Sequence, residues 1–454
     1  MALIDSIPVV QKAKQLRSLV RLLADTAEVV IKEWEIEEQT PPAERSHLPS
    51  PTLFEARRTF IGACGMGIDL VHDPIVRMTE VINSYFGSQA LRIAAESRIA
   101  DVLDGADPEE GISIQGISRQ VGIDAQSLGR VLRCLCTIHI FAEVKDNYYV
   151  NNTASQHLVR NEPLRCWLLM NCMEVYTASD KLPTVLYGSF DKPSRKSAFQ
   201  EAYETDKDFW EWLEQTVELP DGTIAPRPER AIWKAGMWEF GLGHVQAPAV
   251  CDDFPWESLG SSVVVDVGAG IGGMSMELAK RYPKLQFIVQ DRAVVIQEAA
   301  TVWRKELPQS LSSGRVKLVA HNFFTEQPTR GADVYLLRHI LHDWEDDVCV
   351  TILSHLRRAM GLHSRVLIAD NVMQTTVGSS YLRSAPSPLP ANYGYGHSFA
   401  NMHDLYMFTM FKGGERTVEE FSILAARSGL KITKVYECRG LTSITEMRRD
   451  DYTG

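Results

Sequence analysis

VVVDVGAGIGG, residues 263–273, is the stretch on which the reading of this chain turns. A run of β-branched residues passes through Asp266, glycines follow at 268, 270 and 272, and GGMSMELAKRYP comes next. The run predicts a buried strand, and the segment after it a helix stopped at Pro283. Glycines in such a turn permit tight backbone geometry and close approach of a ligand. The spacing Gly268-x-Gly270-x-Gly272 is not GxGxxG, so the dinucleotide fingerprint fits poorly, and no GK[ST] follows to make a Walker loop.

Toward the C-terminus the same rhythm repeats. LQFIVQD, RVKLVAHNF, ADVYLLRHIL and SRVLIADNVM read as strands; AVVIQEAATVWRKEL, EDDVCVTILSHLRRAM and TVEEFSILAARSGL read as helices. Alternation of this kind predicts a largely parallel sheet covered on both faces. KITKVYEC and LTSITEMR follow one another without a helix and predict an antiparallel edge hairpin. The fold class expected for residues 251–454 is α/β, Rossmann-like. Open sheets of this type bind ligands at strand carboxyl ends. Asp291 lies at such an end and suits two ribose hydroxyls. Asn322 and Phe323 lie at the next, placed to meet an adenine by a hydrogen bond and an apolar contact.

Upstream the patterns are helical. Residues 5–35 predict one or two amphipathic helices, and IEEQTPPAERSHLPSPT, 36–52, with four prolines, a linker. LFEARRTFIGACGMGIDLV and a long segment, VRMTEVINSYFGSQALRIAAESRIADVLDG, read as helices. ISIQGISRQVG and DAQSLGRVLRCLCTIHI predict a helix–turn–helix, and FAEVKDNYYVNN a small hairpin, together a winged-helix pattern. Residues 161–250 look mainly helical, with Trp210, Trp212, Trp233 and Trp238 supplying apolar bulk. The expected division is 1–75, a helical extension; 76–250, a helical and winged-helix-like domain; and 251–454, the catalytic domain.

In this order and spacing, DVGAGIGG, IVQDR, HNFF, LLRHILHDWEDD and GGERT resemble the class I S-adenosylmethionine-dependent O-methyltransferases, of the plant caffeate/flavonoid type and its fungal secondary-metabolite relatives. The resemblance covers about residues 80–445. It implies that the winged-helix part is a dimerisation module, and that the cofactor is S-adenosylmethionine. Asp266, Gly268, Gly270, Asp291, Asn322, Phe323 and Arg338 would form the cofactor site. The family commonly has Asp at 322 and Lys at 338. Residues 1–75 resemble the extended N-termini of fungal members.

Methyl transfer from a sulfonium to an oxygen is an in-line displacement that needs aligned reactants and a deprotonated nucleophile. A neutral histidine can take a phenol proton as the bond forms. His342, in LRHILHDWEDD, matches the family's base, with Asp343 beside it. Asp370, ending VLIAD where the family often has the longer Glu, and Glu415, in KGGERT, match the flanking acids. By family position Trp233, Met237, Met407 and Phe411 line the acceptor pocket. The segment 384–401, rich in Pro, Gly and Tyr, reads either as a cover for that pocket or as a long surface connection.

These residues predict an O-methyltransferase acting on a hydroxyl of an aromatic or polyketide-type small molecule. The rival reading within the same fold is a pericyclase of Diels–Alder, hetero-Diels–Alder or Alder-ene type that binds the cofactor without transferring its methyl group. A DNA-binding regulator is disfavoured. The second helix of the helix–turn–helix offers few cations, Val131, Leu132, Leu135 and Ile138 look like core, and 47 Lys+Arg against 58 Asp+Glu give a net charge of −11. Eight cysteines without CxxC spacing suggest reduced thiols and no structural zinc; no metal site is expected. Charges interrupt the first apolar runs, so no signal peptide is expected, and no run reaches the ~20 apolar residues of a membrane span. The expectation is a cytoplasmic homodimer with no nucleic-acid or membrane partner.

Overall fold

The strand before the glycine turn is Val263–Val267 (β1). In the computed structural model, which describes residues 8–187, 196–237 and 247–453, it lies in the middle of a sheet. Its companions are Gln286–Asp291 (β2), Val316–Ala320 (β3), Val334–Arg338 (β4), Arg365–Met373 (β5), Arg416–Thr417 (β6), Leu430–Glu437 (β7) and Thr442–Arg449 (β8). Their order is β3-β2-β1-β4-β5-β8-β7, with the two-residue β6 parallel to the end of β5. Strands β1 to β5 run parallel, and β8 and β7 close the edge as the expected antiparallel hairpin.

The two faces follow the period of two along each strand. Val264, Leu336 and Leu367 enter one core with Leu278 and Trp303 from helices Gly273–Arg281 and Ala293–Glu306. Val265, Leu337 and Ile368 enter the other with Leu353, Leu356, Phe421 and Leu424 from Asp346–Ala359 and Val418–Arg427. Strands β1 and β4 are thus continuous apolar runs because both faces are covered, as a parallel sheet requires.

The chain divides into two compact units, Pro74–His244 and the combination of Met1–Asp73 with Val245–Gly454. Residues 8–73 thus belong to the same compact unit as the sheet. Of the one or two helices expected, the chain forms one, Val9–Gln39, which runs into the expected linker. A second, Pro51–Val71, is capped by the Ser50 side chain. It packs against the turn at 393–397. A Cβ on Gly62 would run into the Tyr393 carbonyl oxygen, and one on Gly65 into the Tyr395 side chain. The Arg58 guanidinium lies 4.0 Å from the Tyr393 ring centroid, and the Tyr393 hydroxyl donates to Glu55. The segment 384–401 is thus held by the N-terminal helices and runs into helix Ser398–Phe411.

In the other unit the long helical pattern breaks into Pro74–Asn83, Tyr85–Glu96 and Ile99–Val102, with Arg98 at φ +55° marking the second break. Helices Ile114–Val121 and Ala125–Thr137 are followed by hairpin Phe141–Lys145 and Tyr148–Asn151, to which Ile112–Ser113 adds a short strand. Leu132 and Leu135 are core as expected, Val131 is partly buried, and Ile138 is 50 % exposed. Trp212 and Trp233 are buried and Trp210 is half-buried, whereas Trp238 lies outside the described residues. No disulfide joins any of the eight cysteines. Among the described residues no helix is long and apolar enough to cross a membrane.

Candidate active site

The glycine turn joins β1 to helix Gly273–Arg281 with Gly268, Gly270 and Gly272 at φ +69°, +58° and +83°. Two of them are fixed by packing. A Cβ on Gly272 would come within 2.7 Å of the Trp303 indole nitrogen, and one on Gly268 within 2.6 Å of Ile340. Gly270 instead faces open space, and its amide donates to Asp291 Oδ2 at 2.8 Å. The Asp291 carboxylate is thereby fastened beside the turn. Phe323 lies against Gly268, and Asn322 caps the turn after β3 by accepting from the Phe324 amide at 3.0 Å. These residues converge at the ends of β1, β2 and β3.

Two expected cofactor residues lie deeper. Asp266 is buried and accepts from the Ser275 hydroxyl at 2.5 Å, which ties β1 to the first turn of the helix; burial raises its carboxyl to about 6. Arg338, ending β4, is buried between the fields of Asp266 and Asp370. Burial lowers its guanidinium to about 10, with the nearby acids opposing. Both support the turn from below its open side.

Past β4 the chain turns sharply. His339 takes φ +53°, with its amide donating to Asp370 Oδ1 at 2.8 Å, and a 3-10 turn, Leu341–Asp343, carries His342. The loop before β6 docks on this turn. The Gly414 amide donates to the His342 carbonyl at 2.9 Å, and Gly413 lies so close to that carbonyl that any side chain would collide with it. Arg416 donates to the carbonyls of Leu341 (2.8 Å) and Trp344 (2.7 Å) and to Asp346 (3.0 Å). The loop brings Glu415 to His342, Nδ1 to Oε1 at 2.9 Å, with the Glu415 side chain fully buried. Asp343 Oδ1 lies 3.6 Å from His342 Nε2.

Burial opposes charge on His342, but the Glu415 carboxylate, its hydrogen bond, Asp343 and Asp370 outweigh it and raise the imidazole above its usual value. Burial likewise opposes ionisation of Glu415; His342 and His403 prevail and hold it below the carboxylate range. The pair is buried, with the carboxylate held against the imidazole. Asp370 makes no hydrogen bond to His342. It acts through space, with burial raising its own carboxyl to about 6.

Sequence reasoning missed three residues here. Glu415 Oε1 also accepts from His403 Nδ1 at 2.9 Å and from Asn371 Nδ2 at 3.1 Å, and Arg416 clamps the base turn. His403 and Met407 stand four apart on helix Ser398–Phe411 and so share a face; that spacing was the available signal. Met407 is buried and Phe411 half-buried on the same helix. Trp233 and Met237 belong to the other unit. There Trp233 is buried against Phe209, its indole donating to Glu174 at 2.9 Å.

Known proteins carry the same combination. An O-methyltransferase domain matches residues 244–431, and an O-methyltransferase dimerisation domain matches 79–161. The O-methyltransferase tpcA of Aspergillus fumigatus is 43 % identical over 96 % of this chain and 96 % of its own length. The chain belongs to the O-methyltransferase family. The O-methyltransferase gedA of Aspergillus terreus is 41 % identical over 97 % of each chain. Among solved structures, the pericyclase LepI in complex with SAM superposes with a TM-score of 0.69 at 21 % identity, covering 94 % of this chain and 99 % of the other, a likeness of fold. S-adenosylmethionine is the cofactor of this O-methyltransferase.

Proposed function

We propose that this O-methyltransferase methylates a hydroxyl of an aromatic or polyketide-derived small molecule in a fungal secondary pathway, with His342 as general base. The observation that carries the reading is the buried His342–Glu415 pair facing the carboxyl ends of the strands that bear the glycine turn. The open flank of Gly270, with Asp291 fastened beside it, fits the cofactor. Gly268 and Gly270 would lie along its amino-acid part, Asp291 would take the ribose hydroxyls, and Asn322 and Phe323 would meet the adenine. When bound it supplies an electrophilic methyl group on a sulfonium.

The remaining work falls to this chain's own residues. Glu415 accepts the Nδ1 proton of His342, which sets the tautomer and leaves Nε2 to take the acceptor's proton. The imidazolium that forms is stabilised by Glu415 and by the field of Asp370 and Asp343. Because the imidazole is raised, the free site sheds a proton as a neutral phenol binds and ionises against it. Arg416 and the Gly413 contact hold the base turn so that this geometry exists before the acceptor arrives. We also propose that the dimerisation domain pairs two copies and that the enzyme works in the cytoplasm, in keeping with eight cysteines that form no disulfide.

The test is incubation of the protein with S-adenosylmethionine and a panel of phenolic polyketides, read by product mass. A product heavier by one methyl in place of one hydrogen is expected. An isomerised or dehydrated product without that gain would overturn the reading in favour of the pericyclase alternative.

A further inference from the structure

The base needs one carboxylate, yet the carboxylate serves two histidines. His342 and His403 both reach Glu415 Oε1 through Nδ1 at 2.9 Å, and Asn371 Nδ2 reaches it at 3.1 Å. The second histidine adds nothing to the basicity of the first, because both draw on the same oxygen. Its presence asks for another task.

The donor and acceptor inventory points to one. A carboxylate accepts only, so each Nδ1 next to it carries the hydrogen, and a neutral imidazole with Nδ1–H presents a bare Nε2. In that form His403 offers an acceptor nitrogen on a ring separate from that of His342. Asn371, with its Nδ2 donating to Glu415, turns out a second acceptor, Oδ1, which is buried and has no hydrogen-bond partner among the described residues. Asp370 Oδ2 is in the same condition. The residues bearing these oxygens are only 2 % and 1 % exposed. Buried acceptors left unpaired are costly and rare, so a ligand donor is the natural complement. The two imidazole centroids are 6.0 Å apart, close to the width of one aromatic ring with its substituents, and the His403 ring stacks on Phe399 at 5.7 Å and meets Tyr406 at 5.1 Å. Its side chain is 16 % exposed against 8 % for His342, so it is the more accessible of the pair.

We infer that His403, with Asn371, binds a second hydroxyl of the acceptor, so that the enzyme selects aromatics carrying two hydroxyls over those carrying one. The inference rests on the proposed reading of His342 as the base for the first hydroxyl. A site that hydrogen-bonds a substrate hydroxyl rejects the analogue lacking it, because its own buried groups are then stranded.

The experiment is calorimetric binding of 1-naphthol, 1,3-dihydroxynaphthalene and 1,8-dihydroxynaphthalene to the full chain saturated with S-adenosylhomocysteine, which permits binding without transfer. At least one diol is expected to bind the wild type tenfold or more tightly than 1-naphthol. His403→Phe keeps a ring and removes both nitrogens, Asn371→Leu removes the amide, and each should bring that ratio close to one. His403→Gln, which can still bond a hydroxyl, should restore part of it. Retained S-adenosylhomocysteine affinity shows that each variant is folded. Equal binding of all three naphthols, no binding of any, or a ratio untouched in both His403→Phe and Asn371→Leu would overturn the inference. Methyl transfer is read separately with labelled cofactor. A protein that keeps the ratio and never transfers the label defeats the methyltransferase reading and leaves the second-hydroxyl subsite standing.

Discussion

At the scale of single residues, His342 and Glu415 carry the proposed chemistry. Removing the imidazole in His342→Ala should lower turnover by roughly 10²–10⁴, the usual worth of a positioned acid–base group, while cofactor affinity by calorimetry stays nearly constant. The pH profile follows from the direction of the shift. The base works when Nε2 is bare, and Glu415 raises the pH at which that happens. The ascending limb of kcat/KM for a phenol should therefore lie alkaline of the ordinary imidazole value of about 6.5. Glu415→Gln removes the anion, so the limb should move toward lower pH and the plateau should fall; a limb that stays in place would show that Glu415 does not tune the base. His342 and Glu415 were legible in the sequence because HDW and GGERT surround them in fixed words. His403 and Asn371 were not. A histidine on an apolar helix and an asparagine after a strand aspartate look like ordinary packing until folding brings them to one oxygen.

At the scale of elements, the glycine turn and the N-terminal helix show two uses of the smallest residue. In the turn, Gly270 clears space and its amide holds Asp291. Asp291→Ala should weaken S-adenosylmethionine binding at least tenfold, about 1.4 kcal/mol, with unchanged calorimetric affinity as the contrary result. In helix Pro51–Val71, Gly62 clears the Tyr393 carbonyl. Gly62→Ala must push the helix from the 393–397 turn, and should cost about 1–3 kcal/mol in denaturant unfolding, as overpacking does. Strand periodicity made β1 to β5 and the terminal hairpin readable to within about three residues. Helix Ser398–Phe411 was obscured because it is apolar nearly all round, so no amphipathic stripe announced it. The partner of the N-terminal helices was hidden because it lies more than 300 residues away in sequence, at Tyr393.

At the scale of the whole molecule, the row of exposed apolar side chains on Pro74–Asn83 and just beyond it is the feature that needs a partner. Ile75, Val76, Met78, Val81, Ile82, Tyr85 and Phe86 are all exposed in the single chain, within or beside the dimerisation domain. An apolar surface of this extent marks an interaction site. An obligate pair of this sort commonly buries more than ~2,000 Å². Light scattering at micromolar concentration should give twice the mass of one chain, and replacing Ile75 and Ile82 together by Glu should give one. A wild-type monomer would count against the pairing. The α/β class and the helical half were visible in hydrophobic rhythm. The grouping of residues 8–73 with the sheet was not, because it depends on surface shape and not on local pattern.

The central claim is that His342 removes the acceptor's proton, and it is tested most directly by the loss of turnover in His342→Ala across phenols of graded acidity. Proton removal matters less as the acceptor becomes more acidic, so the loss should shrink steadily and nearly vanish for phenols already ionised at the assay pH. A loss of the same size for every acceptor would contradict the claim and leave His342 a residue of packing and orientation alone.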